Sequence, residues 1–254
     1  MSDSSKIALV TGSARRIGRA MVMDLAAHGF KVAIHASTSG AEAEKTAGEV
    51  RDRGGAAKVF IADLTDIEQI RRLHEEVSED LGSPDLIVNN ASVFKSDDVR
   101  KFDNDLFDLH FALHVKAPSV LAEAMANGLS EEQSGLIVNM IDQRVWKLTP
   151  RFYSYTLSKS ALWTATQTLA QALAPRIRVN AIGPGPTLAN ERQKSGDFDR
   201  QARAVLLNRG PDLSEFGATL RYLYENRSIT GQMIALDGGQ HLAWETPDVK
   251  GVSE

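Results

Sequence analysis

The sequence predicts a single α/β domain: a doubly wound, parallel sheet of about seven strands with helices on both faces. Three observations predict it. Short, wholly apolar runs, the pattern of strands buried on both faces, alternate with longer segments of helical period. A glycine-bearing turn leads from the first run into the first helix, and no linker, repeat or low-complexity segment breaks the alternation. The 254 residues suit one large domain, spanning 1–254.

Met1 to Lys6 is polar and is expected to fray, as is the stretch from about residue 244 to 254. Ile7 to Val10 reads as the first strand. Ile17, Ala20, Met21 and Leu25 then recur at helical spacing, and Gly29 closes that helix. Val32 to Ile34 is the second strand; Ala43, Ala47 and Val50 mark a helix ended by Gly54-Gly55. Lys58 to Ile61 is a strand, and Ile67, Ile70, Leu73, Val77 and Leu81 make an amphipathic helix stopped by Gly82-Ser83-Pro84. Strand Leu86 to Val88 precedes one long helix around Leu106 to Met125. Strand Leu136 to Met140 precedes a helix around Tyr155 to Leu173. Strand Ile177 to Ala181, a Gly/Pro loop, a polar helical region near 188–225 and strand Met233 to Leu236 complete the order.

Composition removes several function classes. The net charge of −4 argues against nucleic acid or an anionic membrane surface as a partner. The absence of Cys excludes disulfides, thiolate metal sites and Cys nucleophiles, and no metal site is expected. The longest uncharged run, Ser160 to Pro175, is sixteen residues with three Thr and two Gln, too short and polar for a membrane span. No basic start followed by an apolar stretch precedes the first strand, so no export signal is read. The expectation is a soluble, cytoplasmic protein with a small-molecule substrate.

Two constellations carry chemistry. Thr11 to Gly18 is a turn from strand into helix, where backbone N–H groups and the positive end of the helix dipole favour phosphate. Gly12 permits the tight turn and Gly18 a close approach of helix to strand. The full G-x-G-x-x-G is absent, and a plain strand-to-helix turn is the alternative. Tyr155 and Lys159, four residues apart, share one helix face. A nearby ammonium favours the phenolate; lowering a tyrosine pKa by about three units needs about 4 kcal/mol. A surface Tyr beside a surface Lys is the alternative, and Tyr153 lacks such a partner, since its neighbour four residues on is Leu157.

With these residues the chain resembles the short-chain dehydrogenase/reductases, whose fold is Rossmann-type, over nearly its full length. The landmarks are Thr11-Gly12…Gly18, Asp63-Leu64, Asn89-Asn90-Ala91, Tyr155…Lys159, Asn180, and Pro184-Gly185 with Thr187. The resemblance implies that Tyr155 protonates the centre being reduced, while Lys159 holds the nicotinamide ribose and lowers the tyrosine pKa. It implies cofactor contacts from Gly12, Arg15, Arg16, Ile17, Asp63, Leu64, Asn89 and Ala91, and a carboxamide site at Pro184, Gly185 and Thr187. The hydride chemistry would be the nicotinamide's, and orientation and proton supply the protein's.

Departures from the family pattern sharpen the reading. Arg16 replaces the middle Gly, Asn-Asn-Ala-Gly becomes Asn89-Asn90-Ala91-Ser92 with Phe94 beyond, and Asp142 replaces the active-site Ser thirteen residues before Tyr155. These substitutions are similar to those of the pteridine reductase branch, including dihydromonapterin reductases. That resemblance implies that Arg16 touches pyrophosphate and substrate, that Phe94 stacks on a pterin ring, and that Asp142 joins Tyr155 and Lys159 in proton delivery, with Ser92 also at the substrate. Pocket packing for Phe94 and loop hydrogen bonding for Asp142 are the plainer alternatives. His114 stands where the family commonly has Asn, as a relay member or as a core histidine. Arg144 and Trp146 shape a pocket or pack.

At the end of the second strand, His35-Ala36-Ser37-Thr38-Ser39 carries no acid to bind a ribose 2′-hydroxyl. Ser37, Thr38 and Ser39 offer hydroxyls and Arg15 a positive charge, so NADP(H) is the expected cofactor. The leading expectation is an NADPH-dependent reductase of a pteridine-like substrate. The alternatives are a reductase of a sugar, steroid or 3-oxoacyl thioester, and a non-catalytic NADP sensor. The resemblance also implies a homotetramer built through Phe107 to Met125 and Tyr155 to Leu173; Leu162, Trp163, Thr166, Leu169 and Ala170 spread apolar bulk around more than one face of the second helix.

Overall fold

The computed structural model describes residues 6–189 and 196–245. Seven strands form one all-parallel sheet: β1 (Ile7–Val10), β2 (Lys31–Ala36), β3 (Ala56–Ile61), β4 (Leu86–Asn89), β5 (Gly135–Met140), β6 (Ile177–Pro184) and β7 (Met233–Leu236). Their spatial order is β3-β2-β1-β4-β5-β6-β7, so the chain changes direction between β1 and β4, where such sheets open a crevice at their carboxyl ends. Registers Val10↔Ile34 and Val10↔Val88 bring the ends of β1, β2 and β4 level at that point.

Each central strand serves two cores by the two-residue alternation of its side chains. Ala8, Val10, Leu86, Val88, Leu136 and Val138 pack beneath α1 (Arg16–Ala27), α2 (Gly40–Asp52) and α8 (Leu213–Glu225), with Met21, Leu25 and Phe216. Leu9, Ile87 and Ile137 point the other way, onto α3 (Ile67–Leu81), α5 (Ala117–Gly128) and α6 (Tyr153–Leu173), with Leu73, Val77, Leu121 and Met125. A fully buried aliphatic side chain contributes about 1.5–3 kcal/mol, so this double coverage is the main stabilising term.

The structure differs from the sequence expectation in four places. The long helix is divided: α4 (Asn104–Phe111), a π-helical segment Ala112–Lys116, then α5. The region near 188–225 holds two helices, α7 (Asp197–Arg203) and α8, with non-helical chain between them; residues 190–195 lie outside the described residues. Lys6, expected to fray, accepts at its carbonyl from Lys31 N at 2.8 Å and sets its ammonium 5.4 Å from the Phe30 ring centroid. β2, β3 and β6 run longer than their apolar cores, as Lys31, Ala56 and Gly183-Pro184 join the ladder. Most of both expected tails, 1–5 and 246–254, lies outside the described residues. Among the described residues no helix is long and apolar enough to cross a membrane, and no group of side chains suits a metal ion.

Candidate active site

The carboxyl edge of the sheet carries two adjoining cavities. The first, about 740 Å³, is lined by Gly12, Arg15, Arg16, Ile17, Ser37, Ser39, Asp63, Leu64, Ala91, Ser92 and Phe94 among others. The second, about 560 Å³, is lined by Asp142, Arg144, Phe152, Pro184, Gly185 and Thr187, with Phe198 and Gln201 from α7. Arg16 and Phe94 line both and form the partition.

The first cavity is shaped for a phosphate-bearing group. Gly12 has φ +60°, and a Cβ there would lie 2.8 Å from Ala91 Cα; a Cβ on Gly18 would lie 2.6 Å from the Gly12 oxygen. Both positions require glycine for close approach. The first turn of α1 has no side-chain cap and no acidic residue, whereas α3, α4 and α8 are capped by Asp66, Asp103 and Asp212. Its leading N–H groups and dipole end therefore face the groove, where an anion is favoured. A dinucleotide with a pyrophosphate fits this cradle.

Arg16 has φ +55°, a left-handed conformation that costs a non-glycine residue about 1–2 kcal/mol. Its Nη1 donates to the Ala189 oxygen at 3.1 Å and its Nη2 to the Leu188 oxygen at 3.4 Å, tying the glycine turn to the loop after β6. From sequence His35 has no role beyond its place after the second strand, and the structure puts it inside β2. Its Nδ1 accepts from Gly12 N at 3.0 Å and its Nε2 meets the Ala62 oxygen at 3.0 Å, so the ring proton sits on Nε2. Burial holds His35 below the ordinary histidine pKa, which keeps Nδ1 an acceptor.

The paired asparagines divide their work. Asn89 Nδ2 donates to Asn139 Oδ1 at 2.8 Å, a buried rung across β4 and β5, and its side chain does not line the groove. Asn90 does line it, with Nδ2 donating to the Thr11 and Gly12 oxygens at 2.8 and 3.0 Å. Thr38 also lies away from the lining, between Ser37 and Ser39.

At the second cavity, α6 presents Tyr155, Ser158, Lys159, Leu162 and Thr166 along one buried face. The Tyr155 hydroxyl donates to Asp142 Oδ2 at 3.2 Å. The other carboxyl oxygen of Asp142 accepts from Arg144 N at 2.9 Å and so caps the short 3₁₀ turn Gln143–Val145. Asp142 thus holds both its loop and the tyrosine. Lys159 Nζ donates to the Met140 oxygen at 2.7 Å.

Electrostatics make Tyr155 a neutral acid. Burial, then the adjacent Asp142 charge, hold its phenol well above the usual tyrosine pKa. The resemblance implies that Lys159 lowers it; the net direction is upward, and the Lys159 ammonium, bonded to the Met140 carbonyl, lies 5.7 Å from the Tyr155 ring centroid. Burial pushes Lys159 down to about 8, and raises Asp142 above the ordinary carboxylate value.

An aromatic wall completes the site. Phe94 and Phe152 stack at 4.2 Å between centroids, and Phe94 meets Tyr155 edge-on at 4.8 Å. Arg144 Cζ lies 4.9 and 4.8 Å from the Phe94 and Phe152 centroids, within cation–π range. Phe152, with φ +59°, had no sequence signal. Trp146 packs outside this wall, against Trp163 and His241 at 6.3 and 5.0 Å. His114 lies behind Tyr155, its ring perpendicular at 5.4 Å.

Comparisons agree with this geometry. Residues 6–199 match the family model for short chain dehydrogenase. A crystal structure of FolM alternative dihydrofolate reductase 1 from Brucella canis, complexed with NADP, is 60% identical, with a TM-score of 0.94 over 97% of this chain and 98% of that one. The Brucella suis counterpart, also in complex with NADP, is 60% identical over 98% and 100% of the two chains, again at a TM-score of 0.94. Galactitol 2-dehydrogenase from Agrobacterium fabrum is 35% identical over 187 residues, 73% of this chain and 72% of that protein. With an uncapped helix over a glycine turn, a Tyr155/Lys159 face and this likeness along most of its length, the chain belongs to the short-chain dehydrogenase family.

Proposed function

We propose that the protein is an NADPH-dependent reductase of a pteridine-like substrate, acting in the cytoplasm as a homotetramer. The observation that carries the reading is the convergence of Arg16, Phe94 and Asp142 on the second cavity, with Tyr155 directly behind, bonded to Asp142 and edge-on to Phe94. A flat heterocycle rich in ring nitrogens suits that edge, because Phe94 offers a stacking face and Arg16 and Asp142 offer charged hydrogen-bond partners. The likeness to FolM alternative dihydrofolate reductase 1 at 60% identity supports the same substrate class.

The groove residues fit NADP(H). Gly12, Gly18 and the open start of α1 would take the pyrophosphate, and Arg15 with Ser37 and Ser39 would take a 2′-phosphate, no carboxylate standing at the end of β2 to repel it. When bound, the nicotinamide supplies the hydride. The chain's part is to place the substrate on Phe94, to give it the Tyr155 hydroxyl proton that Asp142 holds by hydrogen bond until transfer, and to stabilise the resulting phenolate through Lys159. An apolar surface groove of about 660 Å³ on α4 and the π segment, lined by Leu109, Phe111, Ala112 and Val115, supports subunit association.

A panel of dihydropterins, dihydrofolate and simple ketones, read by NADPH absorbance, tests the function. Turnover of dihydropteridines above the ketones is expected; ketone reduction alone would leave only the general carbonyl reductase. Light scattering that showed a monomer at micromolar concentration would remove the tetramer.

A further inference from the structure

Ser92 lies in the turn that follows β4, and its hydroxyl meets His114 Nε2 at 2.9 Å. His114 sits in the middle of the π-helical segment and is 1% exposed. Such segments widen a helix by one residue and re-aim a side chain. The other ring nitrogen, Nδ1, meets Ser158 Oγ at 2.8 Å.

The tautomer follows from counting protons. Ser158 Oγ lies 2.8 Å from the Tyr155 carbonyl oxygen, which can only accept, so the single Ser158 hydroxyl proton is spent there. Toward His114, Ser158 Oγ must therefore accept. Nδ1 carries the ring proton, Nε2 carries a lone pair, and Nε2 takes the proton of Ser92. Burial, Lys159 and the stacked ring of His110 all disfavour a charge on His114, so it stays neutral and keeps this role.

We propose that His114 is a positioning residue that holds the Ser92 hydroxyl proton, so that Ser92, which also neighbours the Tyr155 hydroxyl, turns a lone pair toward the site and selects a substrate presenting an N–H or O–H donor beside Tyr155. The substrate class rests on the pteridine reading, since a reduced pteridine ring carries such N–H groups; the proton assignment does not. One route is closed at the same time. A neutral imidazole protonated on Nδ1 has no proton on Nε2 to hand to Ser92, so the proton lost from Tyr155 is not replaced through His114.

Full-length protein with ¹⁵N-labelled histidine gives the direct test. Long-range ¹H–¹⁵N correlation is expected to find the His114 proton on Nδ1 from about pH 6 to 9, and Ser92→Ala to shift Nε2 while Nδ1 stays in place. A proton on Nε2, or an Nε2 resonance blind to Ser92→Ala, overturns the proposal whether or not a dihydropteridine is turned over. Kinetics give a second test. His114→Phe is expected to raise KM for a dihydropteridine about fivefold with kcat within about twofold, the scale of one hydrogen bond. His114→Gln, which keeps a donor and an acceptor, is expected to restore KM. Added to Ser92→Ala, His114→Phe is expected to change nothing further, and an undiminished rise in KM there overturns the proposal. A wild-type enzyme inactive on every dihydropteridine defeats the function proposed above, and the labelled-histidine spectrum still decides this one.

Discussion

Tyr155 and Asp142 are joined by a hydrogen bond of 3.2 Å from the phenol to Oδ2, across the gap between α6 and the end of β5. The carboxylate opposes loss of the phenolic proton until an acceptor arrives, and burial adds to the effect. The pair is a proton source held ready, and its two members make separable predictions.

Tyr155→Phe removes the proton and keeps the ring that packs on Phe94. Reduction is expected to fall about a hundredfold or more, with NADPH affinity nearly unchanged. Stopped-flow turnover and fluorescence titration of the cofactor check the two halves; retention of more than a few percent of kcat would place the acid elsewhere.

Asp142→Ser removes the charge that keeps Tyr155 protonated, so the alkaline limb of the pH–rate profile is expected to move to lower pH. A dihydropteridine should lose more rate than a simple ketone, because only the ring nitrogens use the carboxylate. Phe94→Ala should weaken the pteridine by about 0.5–1.5 kcal/mol beyond the lost contact area. Equal losses on both substrates would mean that the pocket, not the pteridine, was damaged.

Arg16→Gly separates stability from function. Glycine relieves the positive φ at a position where arginine costs about 1–2 kcal/mol, while the bonds to Leu188 and Ala189 disappear. The thermal midpoint is expected to hold or rise, and KM for NADPH and for substrate to increase together. A variant less stable but kinetically normal would contradict the assignment.

NADPH is expected to be preferred over NADH by at least about tenfold in kcat/KM, or ~1.4 kcal/mol. Arg15→Glu should erase the preference by placing a carboxylate beside the groove lined by Ser37 and Ser39. Equal efficiency with both cofactors in the wild type would end the argument.

Stability is expected to decline on acidification. Burial holds His35, His74, His110 and His114 below the ordinary histidine pKa. Unfolding returns them to about 6.5, so the unfolded chain binds more protons below that pH and the native advantage is full above it. Asp85, pushed up to about 6 by burial, and Asp142, raised likewise, act in the opposite sense. Four histidines outweigh two carboxyls, so from about pH 7 to 5 the free energy of unfolding should fall by ~1.4 kcal/mol per pH unit for each net proton, and the urea midpoint with it. A midpoint that climbs over this interval would refute the balance.

The strands were legible because a strand buried on both faces must be apolar throughout, as Ile7 to Val10 is. Tyr155 and Lys159 were legible because four residues make one helical turn. Both signals are local. The π-helical segment at Ala112–Lys116 differs from the α-helix by one residue per turn and leaves no mark in composition. Phe152 takes its left-handed backbone and its stack on Phe94 from tertiary packing. The division of labour between Asn89 and Asn90 turns on where β4 ends, which spacing alone does not place. The link from Arg16 to Ala189 joins residues 173 positions apart, beyond any local pattern.

Gly185 N donates to the Leu236 oxygen at 2.8 Å, and a Cβ on Gly185 would lie 2.6 Å from Asp237 Cα. The wall of the second cavity is therefore pinned by β7, the last of the described strands in chain order, while Arg16, from the start of the chain, lines the same cavity. A nascent chain carries the glycine turn long before it has a complete site. Catalysis cannot precede closure of the sheet, so recovery of activity during refolding reports the arrival of β7, and a chain truncated before Met233 should be inert however well its first half folds.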